Sequence, residues 1–179
     1  MISEFTLEDL IPYLDLFDEM ELYIWIDGGW GVDALLGHQI RPHEDLDFLI
    51  EKADSDRLVT AIRGLGFIDV NSNDHTEWNF VMGTPDGKNF AFHVLERRFD
   101  GNYNSGSSAN PVLVTAESLT GTGTIGGRTV RCPTPEFLID SHRGYTLKET
   151  DMHDVTALNR KFGVALHPEQ IEYLAAHDR

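Results

Sequence analysis

A glycine pair at the end of a short apolar run constrains the fold of this chain more than any other feature. Residues 22–26 are apolar and rich in strand-forming side chains, and they are followed almost at once by Gly28 and Gly29. Residues 30–36 then have helical spacing and stop at Gly37, a common helix-ending residue. The pattern predicts a buried strand, a tight turn and a short helix whose unpaired N–H groups form an anion-binding position.

The remaining hydrophobic periodicity alternates between helical and strand spacing. It predicts helices at about residues 7–19, 54–65, 134–147 and 151–161 and from 168 to near the end. It also predicts strands at about residues 46–50, 67–70, 78–82 and 89–95, a loop over 100–111 and a hairpin over 120–131. This order indicates the mixed α/β class, a mixed β-sheet flanked by helices. We expect residues 1–132 to form the core and residues 133–179 a C-terminal helical segment, together one compact unit.

Two aspartates, Asp45 and Asp47, begin the strand that follows the short helix, and Arg41 and His43 precede them. Side chains two positions apart on a strand project from the same face. Neighbouring carboxylates repel each other unless a cation lies between them, and Mg²⁺ prefers oxygen ligands and usually also binds nucleotide phosphates. An Asp-x-Asp pattern alone is typical of a solvated strand end. Together with the glycine pair, it predicts a site for a metal and a nucleotide.

The formal net charge of the chain is −16, from 30 acidic and 14 basic residues. This field repels nucleic acids and anionic membranes and attracts cationic small molecules, although plain solubility accounts for the same charge. The single cysteine, Cys132, excludes an internal disulfide and fits a reducing compartment. No apolar run reaches the length of a membrane span, and residues 1–4 lack the features of a signal peptide. We therefore expect a cytoplasmic protein that binds neither nucleic acid nor membranes.

The segments GGWGVDALLG (28–37) and RPHEDLD (41–47) resemble the nucleotidyltransferase superfamily pattern of a glycine pair, a short helix and Asp-x-Asp. Within that superfamily they are similar to the lincosamide nucleotidyltransferases and, more distantly, to the related aminoglycoside 2″-adenylyltransferases. The later segments GGRTVRC (126–132) and GYTLKETD (144–151) have counterparts in the same two groups. The resemblance covers most of the chain, and its first motif is the most specific.

The resemblance implies an enzyme that transfers AMP from ATP to a hydroxyl group of a lincosamide or aminoglycoside antibiotic, with release of pyrophosphate. Asp45 and Asp47 would be catalytic and would hold Mg²⁺. The partners implied are the small-molecule antibiotic and the nucleotide, and a homodimer is possible. The implied nucleotide-binding residues lie on the two N-terminal motifs and are Gly28, Gly29, Trp30, Arg41 and His43.

Two of these residues have a structural explanation that stays open. Trp30 either borders the nucleotide or packs in the core. His43 either acts in the site or packs beside Asp45. The sequence does not separate these roles.

The family pattern includes a third carboxylate on a later strand, and the chain departs from it there. The matching run, residues 89–95, has Ala91 at the aspartate position and His93 two residues later. Glu77 or Glu96 could supply the carboxylate, the chain could be an inactivated variant, or the natural protein could be a weak catalyst. The otherwise intact motif favours an inactivated variant. His93 is the obvious substitute general base because imidazole titrates near neutral pH, and a structural histidine explains it equally well.

The acceptor pocket is less defined by the sequence. Aromatic and charged residues after the first motif are our candidates for its wall, namely Trp78, Glu96, Tyr103, Tyr145 and Lys148. The loop 100–110 could close over the pocket. An alternative function is a non-catalytic nucleotide-binding or toxin–antitoxin type protein with the same fold, which Ala91 supports. A further alternative is transfer to a protein or an RNA, and the net negative charge argues against RNA.

Overall fold

The structure, a computed structural model, describes residues 4–70, 75–107 and 109–177, so most of the segment used to exclude a signal peptide lies outside the described residues. The helices are α1 (Leu7–Glu19), α2 (Gly28–Leu36), α3 (Lys52–Gly64), α4 (Pro135–Ser141), α5 (Glu149–Phe162) and α6 (Pro168–His177), with a 3₁₀ turn at Glu117–Leu119. The strands are β1 (Ile24–Ile26), β2 (Asp45–Glu51), β3 (Ile68–Val70), β4 (Asn79–Gly83), β5 (Asn89–Arg97), β6 (Tyr103–Ser105), β7 (Val112–Val114), β8 (Gly121–Ile125) and β9 (Arg128–Cys132).

Within these ranges, seven strands form one mixed sheet in the order β1-β2-β5-β4-β3, to which β6 and β7 are added along the second half of β5. The central strands β2 and β5 are parallel, and the other pairings are antiparallel. Strands β8 and β9 form a separate hairpin that packs on α2 and β1. The mixed α/β class with flanking helices, predicted from the sequence, is confirmed.

One face of the central strands carries an aromatic core. The rings of Phe48 and Phe92 meet edge to face at 4.7 Å, and Phe80 stacks on Phe92 at 4.5 Å. Phe90 lies between Phe67 and Tyr13, with ring centroids 4.6 and 4.8 Å away. Because side chains alternate along a strand, the intervening residues of β2 and β5 face the opposite side, where the candidate site lies.

Helix α1 begins with a capping box that is tied to the loop before β5. The Asp9 N–H donates to Thr6 Oγ1 at 3.2 Å, and Asp9 Oδ2 accepts from the Thr6 N–H at 3.0 Å. The other carboxylate oxygen of Asp9 accepts from the Lys88 ammonium group. This bond with Lys88 is the main reason that the pKa of Asp9 lies below its ordinary value of 3.8.

Replacing Asp9 by alanine should lower the free energy of unfolding by about 1 kcal/mol at neutral pH, because the side-chain half of the capping box and the ion pair with Lys88 are both lost. A depressed pKa in the folded state contributes stability above the ordinary pKa, which is lost as the pH falls. The difference between the natural chain and Asp9→Ala should therefore shrink as the pH falls through 3.8. Urea denaturation over this range tests this. Glu8→Ala, on the same exposed turn, is the matched control and should show a smaller loss.

The C-terminal helices pack on α2 and so reach the glycine turn. Val32 of α2 is buried with Leu138 of α4 and with Val155 and Leu158 of α5. At the other end of α2, the Lys161 ammonium group donates to the carbonyls of Leu35 and Leu36, both at 2.9 Å. A boundary between a core and a C-terminal segment at residue 132 stays a prediction.

Several expected bounds differ from the structure, and three of the differences have an identifiable cause. Helix α2 begins at Gly28, two residues before the expected start, because the glycines themselves form its first turn. The expected loop 100–111 contains β6 and leads into β7, because β5 extends to Arg97 and offers its edge for pairing. Helix α4 ends at Ser141, before the expected end at 147, since Ser141 Oγ donates to the Leu138 carbonyl.

None of the helices in the described ranges has both the length and the apolar character that a membrane crossing requires.

Candidate active site

Asp45 and Asp47 lie at the beginning of β2 and face the same side of the sheet. The parallel pairing with β5 places Asn89 beside Asp45 and Ala91 beside Asp47. Desolvation and the negative charges of Asp47 and Glu44 raise the pKa of Asp45 to about 6, against the opposing effect of His43 and Arg41. The pair therefore concentrates negative charge that a cation would relieve.

The two glycines make room for these side chains. A Cβ atom on Gly28, which has φ +55°, would lie 2.2 Å from Asp47 Oδ2. A Cβ atom on Gly29 would lie 2.4 Å from His43 Nδ1 and 2.5 Å from Arg41 Nη2. The side chains of Asp47, His43 and Arg41 therefore lie directly against the N-terminal turn of α2. The positive end of the helix thus lies against the Asp47 carboxylate, at a position suited to an anion.

Replacing Gly29 by alanine should weaken nucleotide binding about tenfold, because the new methyl group displaces the Arg41 guanidinium group from the helix turn. The dissociation constant for ATP with Mg²⁺, measured by calorimetry, tests this expectation. Gly64→Ala is the matched control, since a Cβ atom on Gly64 meets nothing within 4 Å, and it should leave the constant unchanged. Equal constants for Gly29→Ala and the natural chain would contradict this account of the turn.

Arg41 is held by the C-terminal segment. Its Nε and Nη2 atoms donate to the two carboxylate oxygens of Asp154 at 2.9 and 2.7 Å, and its Nη1 donates to the Pro42 carbonyl at 3.0 Å. The Arg41 side chain is 23% exposed, whereas Asp154 is fully buried. Asp154 was missed by the sequence analysis because only the fold brings residues 41 and 154 together.

His43 and Trp30 are buried, which favours packing over ligand contact for both. His43 Nε2 lies 2.5 Å from Asp33 Oδ2, and the His43 ring contacts the Trp30 ring at a centroid distance of 4.6 Å. Asp33 Oδ1 also accepts from the Ile40 N–H at 3.0 Å. These contacts fix the loop that carries Arg41 on helix α2. A direct nucleotide contact of either ring stays a prediction.

His93 and Asp27 lie on the cavity side of the same sheet. His93 Nε2 is 3.9 Å from Asp47 Oδ1, and the Asp27 carboxylate is nearly buried at the start of α2. Desolvation lowers the pKa of His93, but the contact with the Asp47 carboxylate at 3.9 Å and the negative charges of Asp27 and Asp47 outweigh it and raise the value. Burial raises the pKa of Asp27. A raised imidazole pKa favours a proton donor to Asp47 over a base, and a catalytic role of His93 stays a prediction.

A cavity of about 800 Å³ opens next to Asp47. Its floor includes Asp27, Gly28, Asp47 and His93. One wall is the exposed, apolar edge strand β7. The opposite wall is α4, with Glu136, Phe137 and Asp140, together with the segment 164–167. Asp140 also forms ion pairs with Arg143 and His167. The cavity beside Asp47 is thus lined by the acidic residues of α4 and by the apolar residues of β7.

The residues that we expected in the acceptor pocket do not line this cavity. Trp78 is buried in the aromatic core, with Lys52 over its ring. Tyr103 is buried against Leu49 and Leu95, and its hydroxyl donates to Glu51. Lys148 precedes α5 and its N–H donates to Asp151. Tyr145 is half-exposed near the same helix.

The two glutamates that could supply a third carboxylate also lie away from the cavity. Glu96 is exposed on the second half of β5, beside β6, and Glu77 is exposed before β4. Neither lines the cavity. Trp78, Glu96 and Tyr103 thus lie outside the lining of this cavity, whose walls include β7 and α4, and their role in an acceptor pocket stays a prediction.

The donor set fits a cation that shares its ligands with a substrate. Within the described ranges, no group of three or more His, Cys, Asp or Glu side chains is arranged to hold a metal by itself. Two adjacent carboxylates with an open side match Mg²⁺, which is commonly bound by one or two carboxylates plus phosphates and water.

Comparisons with known proteins identify the family of the chain. The family model of aminoglycoside-2″-adenylyltransferases matches residues 9–158, so the chain belongs to that family. It is therefore a nucleotidyltransferase of the antibiotic-modifying kind. A lincosamide resistance protein of Staphylococcus haemolyticus is 27% identical over 160 residues, which cover 86% of this chain and 94% of the relative. A 2″-aminoglycoside nucleotidyltransferase of Escherichia coli is 39% identical over 49 residues, 27% of this chain and 28% of the relative.

Solved structures show the same fold. The lincosamide antibiotic adenylyltransferase LnuA, with lincomycin bound, superposes with a TM-score of 0.77 at 24% identity and covers 88% of this chain and 98% of that one. ANT(2″)-Ia in complex with adenylyl-2″-tobramycin has a TM-score of 0.64 at 20% identity, with 96% and 95% covered. The nucleotidyltransferase fold predicted from the motifs is confirmed.

Proposed function

We propose that the chain transfers AMP from ATP, with Mg²⁺, to a hydroxyl group of an antibiotic, and that pyrophosphate leaves. The observation that carries this proposal is the contact between the glycine turn and Asp47 at the edge of a cavity large enough for a small-molecule acceptor. Nucleotide phosphates and an acceptor hydroxyl can thus meet at one face of β2.

The nucleotide end consists of helix α2 and the loop before β2. The Gly28 and Gly29 N–H groups bind phosphate oxygens at the positive end of the helix. The Arg41 guanidinium group lies against the same turn and orients the phosphates. Both interactions strengthen as negative charge develops during transfer, so they favour the transition state.

Asp45 and Asp47 would hold the Mg²⁺ ion. When bound, the ion offsets the charge of the triphosphate and of the leaving pyrophosphate. Desolvation is the main cause that raises the pKa of Asp45 to about 6, and repulsion from Asp47 and Glu44 adds to it; such a cation would offset this repulsion. In its absence, like charges at the start of β2 repel the phosphates that the glycine turn attracts.

The acceptor end is the cavity between β7 and α4. Its apolar wall and its carboxylates Glu136 and Asp140 suit an antibiotic that has both an apolar part and a protonated amine. A lincosamide is the first candidate, because the Staphylococcus haemolyticus relative matches over almost its whole length. An aminoglycoside is the second, in view of the family model and the net charge of −16.

Expression of the chain in a sensitive bacterium, with assay of pyrophosphate release from ATP and lincomycin or tobramycin, tests this proposal. We expect pyrophosphate release that depends on both Mg²⁺ and one antibiotic, together with raised resistance to that antibiotic. Release with tobramycin alone would reassign the acceptor. The proposal would be contradicted if neither the natural chain nor Ala91→Asp released pyrophosphate or changed the susceptibility to lincosamides and aminoglycosides.

The second candidate function is a non-catalytic nucleotide binder, and Ala91 is the observation that favours it. Ala91 pairs with Asp47 in the sheet, at the position where the family pattern has a carboxylate. Calorimetry with ATP and Mg²⁺ separates the two functions. Binding without turnover, even in Ala91→Asp, would favour the binder.

A further inference from the structure

A fully buried carboxylate on α5 faces the nucleotide side of the candidate site. Asp154 has no exposed surface, and both of its oxygens accept from Arg41 in a two-bond fork. A buried ion pair contributes little to net stability, since desolvating the two charges offsets most of their attraction. Its placement at the edge of the site therefore points to a role in the site.

The fork fixes where the Arg41 guanidinium group lies. Asp154 engages Nε and Nη2, and the Pro42 carbonyl accepts from Nη1. Arginine has five N–H donors, so further N–H groups on Nη1 and Nη2 stay available. Nη2 lies 2.5 Å from the position of a Cβ atom on Gly29, which places the group directly over the first turn of α2.

Helix α5 is itself packed firmly on α2, so the Asp154 carboxylate is held in a fixed position beside Arg41. Met152, Val155 and Leu158 of α5 pack with Val32 of α2. Lys161 binds the last carbonyls of α2 from the other end of α5. The nucleotide-side arginine is thus held by the same C-terminal segment whose preceding helix, α4, forms a wall of the cavity.

We infer that Asp154 is a positioning residue for nucleotide binding: it holds the Arg41 guanidinium group over the N-terminal turn of α2, ready for phosphate oxygens. This inference rests on the proposed function, because it takes Arg41 as a phosphate contact. Asp154 touches neither the nucleotide nor the reacting atoms and acts through Arg41 alone.

The test measures the dissociation constant for ATP with Mg²⁺ by calorimetry, without an acceptor, so that turnover is not needed. Asp154→Asn removes the charge at nearly the same shape and should raise the constant about tenfold, the size of one charge-assisted hydrogen bond. Arg41→Gln should raise it at least as much. In the Arg41→Gln background, Asp154→Asn should change it less than about twofold, because the two residues act as a unit.

Lys161→Gln is the matched control, since it loosens α5 from α2 without touching Arg41. It should lower the melting temperature slightly and leave the dissociation constant unchanged. If Asp154→Asn lowers the melting temperature but leaves the constant unchanged, or if its effect adds fully to that of Arg41→Gln, the inference is overturned.

Arg41→Lys covers the case in which Asp154→Asn does not fold. Lysine keeps the charge but cannot form the fork, so the constant should again rise about tenfold. A change below twofold would overturn the inference. A natural chain that binds no ATP would overturn both the inference and the proposed function, whereas normal binding with no effect of these variants overturns the inference alone.

Discussion

Replacing Asp47 by asparagine is expected to lower the rate of nucleotidyl transfer about a thousandfold, because the cation that offsets phosphate charge loses one of its two carboxylate ligands. Asp47 is also the residue in contact with the glycine turn, so its charge lies where the phosphates bind. The rate of pyrophosphate release at saturating ATP is the measurement. The same substitution in the Ala91→Asp background, where we expect a higher starting rate, allows a larger loss of rate to be measured.

The control for this experiment is Glu44→Gln, which removes a carboxylate just before the strand without changing the pair. It should alter the rate less than about threefold, since Glu44 affects the site only through its charge near Asp45. Thermal melting supplies a second check. Asp47→Asn should be at least as stable as the natural chain in the absence of metal, because it relieves repulsion between neighbouring carboxylates. A less stable variant would mean that the rate loss reports misfolding.

Replacing Ala91 by aspartate is expected to raise the turnover rate about a hundredfold, the usual contribution of a positioned general base. Ala91 pairs with Asp47 on the parallel neighbour strand, so a carboxylate there joins the aspartate face next to the cavity. Ala91→Asn is the matched control, with the same shape and no charge. It should give no gain.

The outcome decides among the explanations for Ala91. A gain with aspartate and none with asparagine would identify a missing carboxylate. No gain with aspartate, in a natural chain that already turns over, would show that another group serves the acceptor hydroxyl. His93, two residues along the same strand face, would then be the residue to replace next.

The parts of the site that are local in sequence could be predicted from it. The glycine pair and the Asp-x-Asp pair sit at the ends of two short apolar runs, and alternation alone places both carboxylates on one face. The structure brings these two elements into contact through Asp47 and Gly28. The family and the fold followed from the same residues, and both are confirmed.

The parts that depend on distant contacts could not be predicted. Asp154 is 113 positions from Arg41, and nothing in the spacing of α5 distinguishes it from its other acidic residues. The lining of the large cavity could not be predicted for a related reason. The aromatic character of Trp78 and Tyr103 predicts burial but does not say which residues each ring contacts. Trp78 packs in the aromatic core, and Tyr103 packs with Leu49 and Val114, beside the cavity but not in its lining.

Strand β6 was not predicted, because residues 100–111 are mostly polar. Asn104 and Ser105 have little intrinsic preference for a strand, and they pair because the extended edge of β5 lies beside them. Because β7 pairs with β6, the same pairing places β7 at the cavity. The position of this wall therefore depends on contacts between strands and not on the local sequence.

The most direct test of the central claim follows the two ends of ATP separately. ATP labelled at the α-phosphorus or at the γ-phosphorus is incubated with Mg²⁺, the antibiotic and either the natural chain or Ala91→Asp. We expect the α-label to appear on the antibiotic and the γ-label in pyrophosphate, and neither transfer to occur in Asp47→Asn. Appearance of the γ-label on the antibiotic, or of no label on it with either protein, would contradict a nucleotidyltransferase built on Asp45 and Asp47.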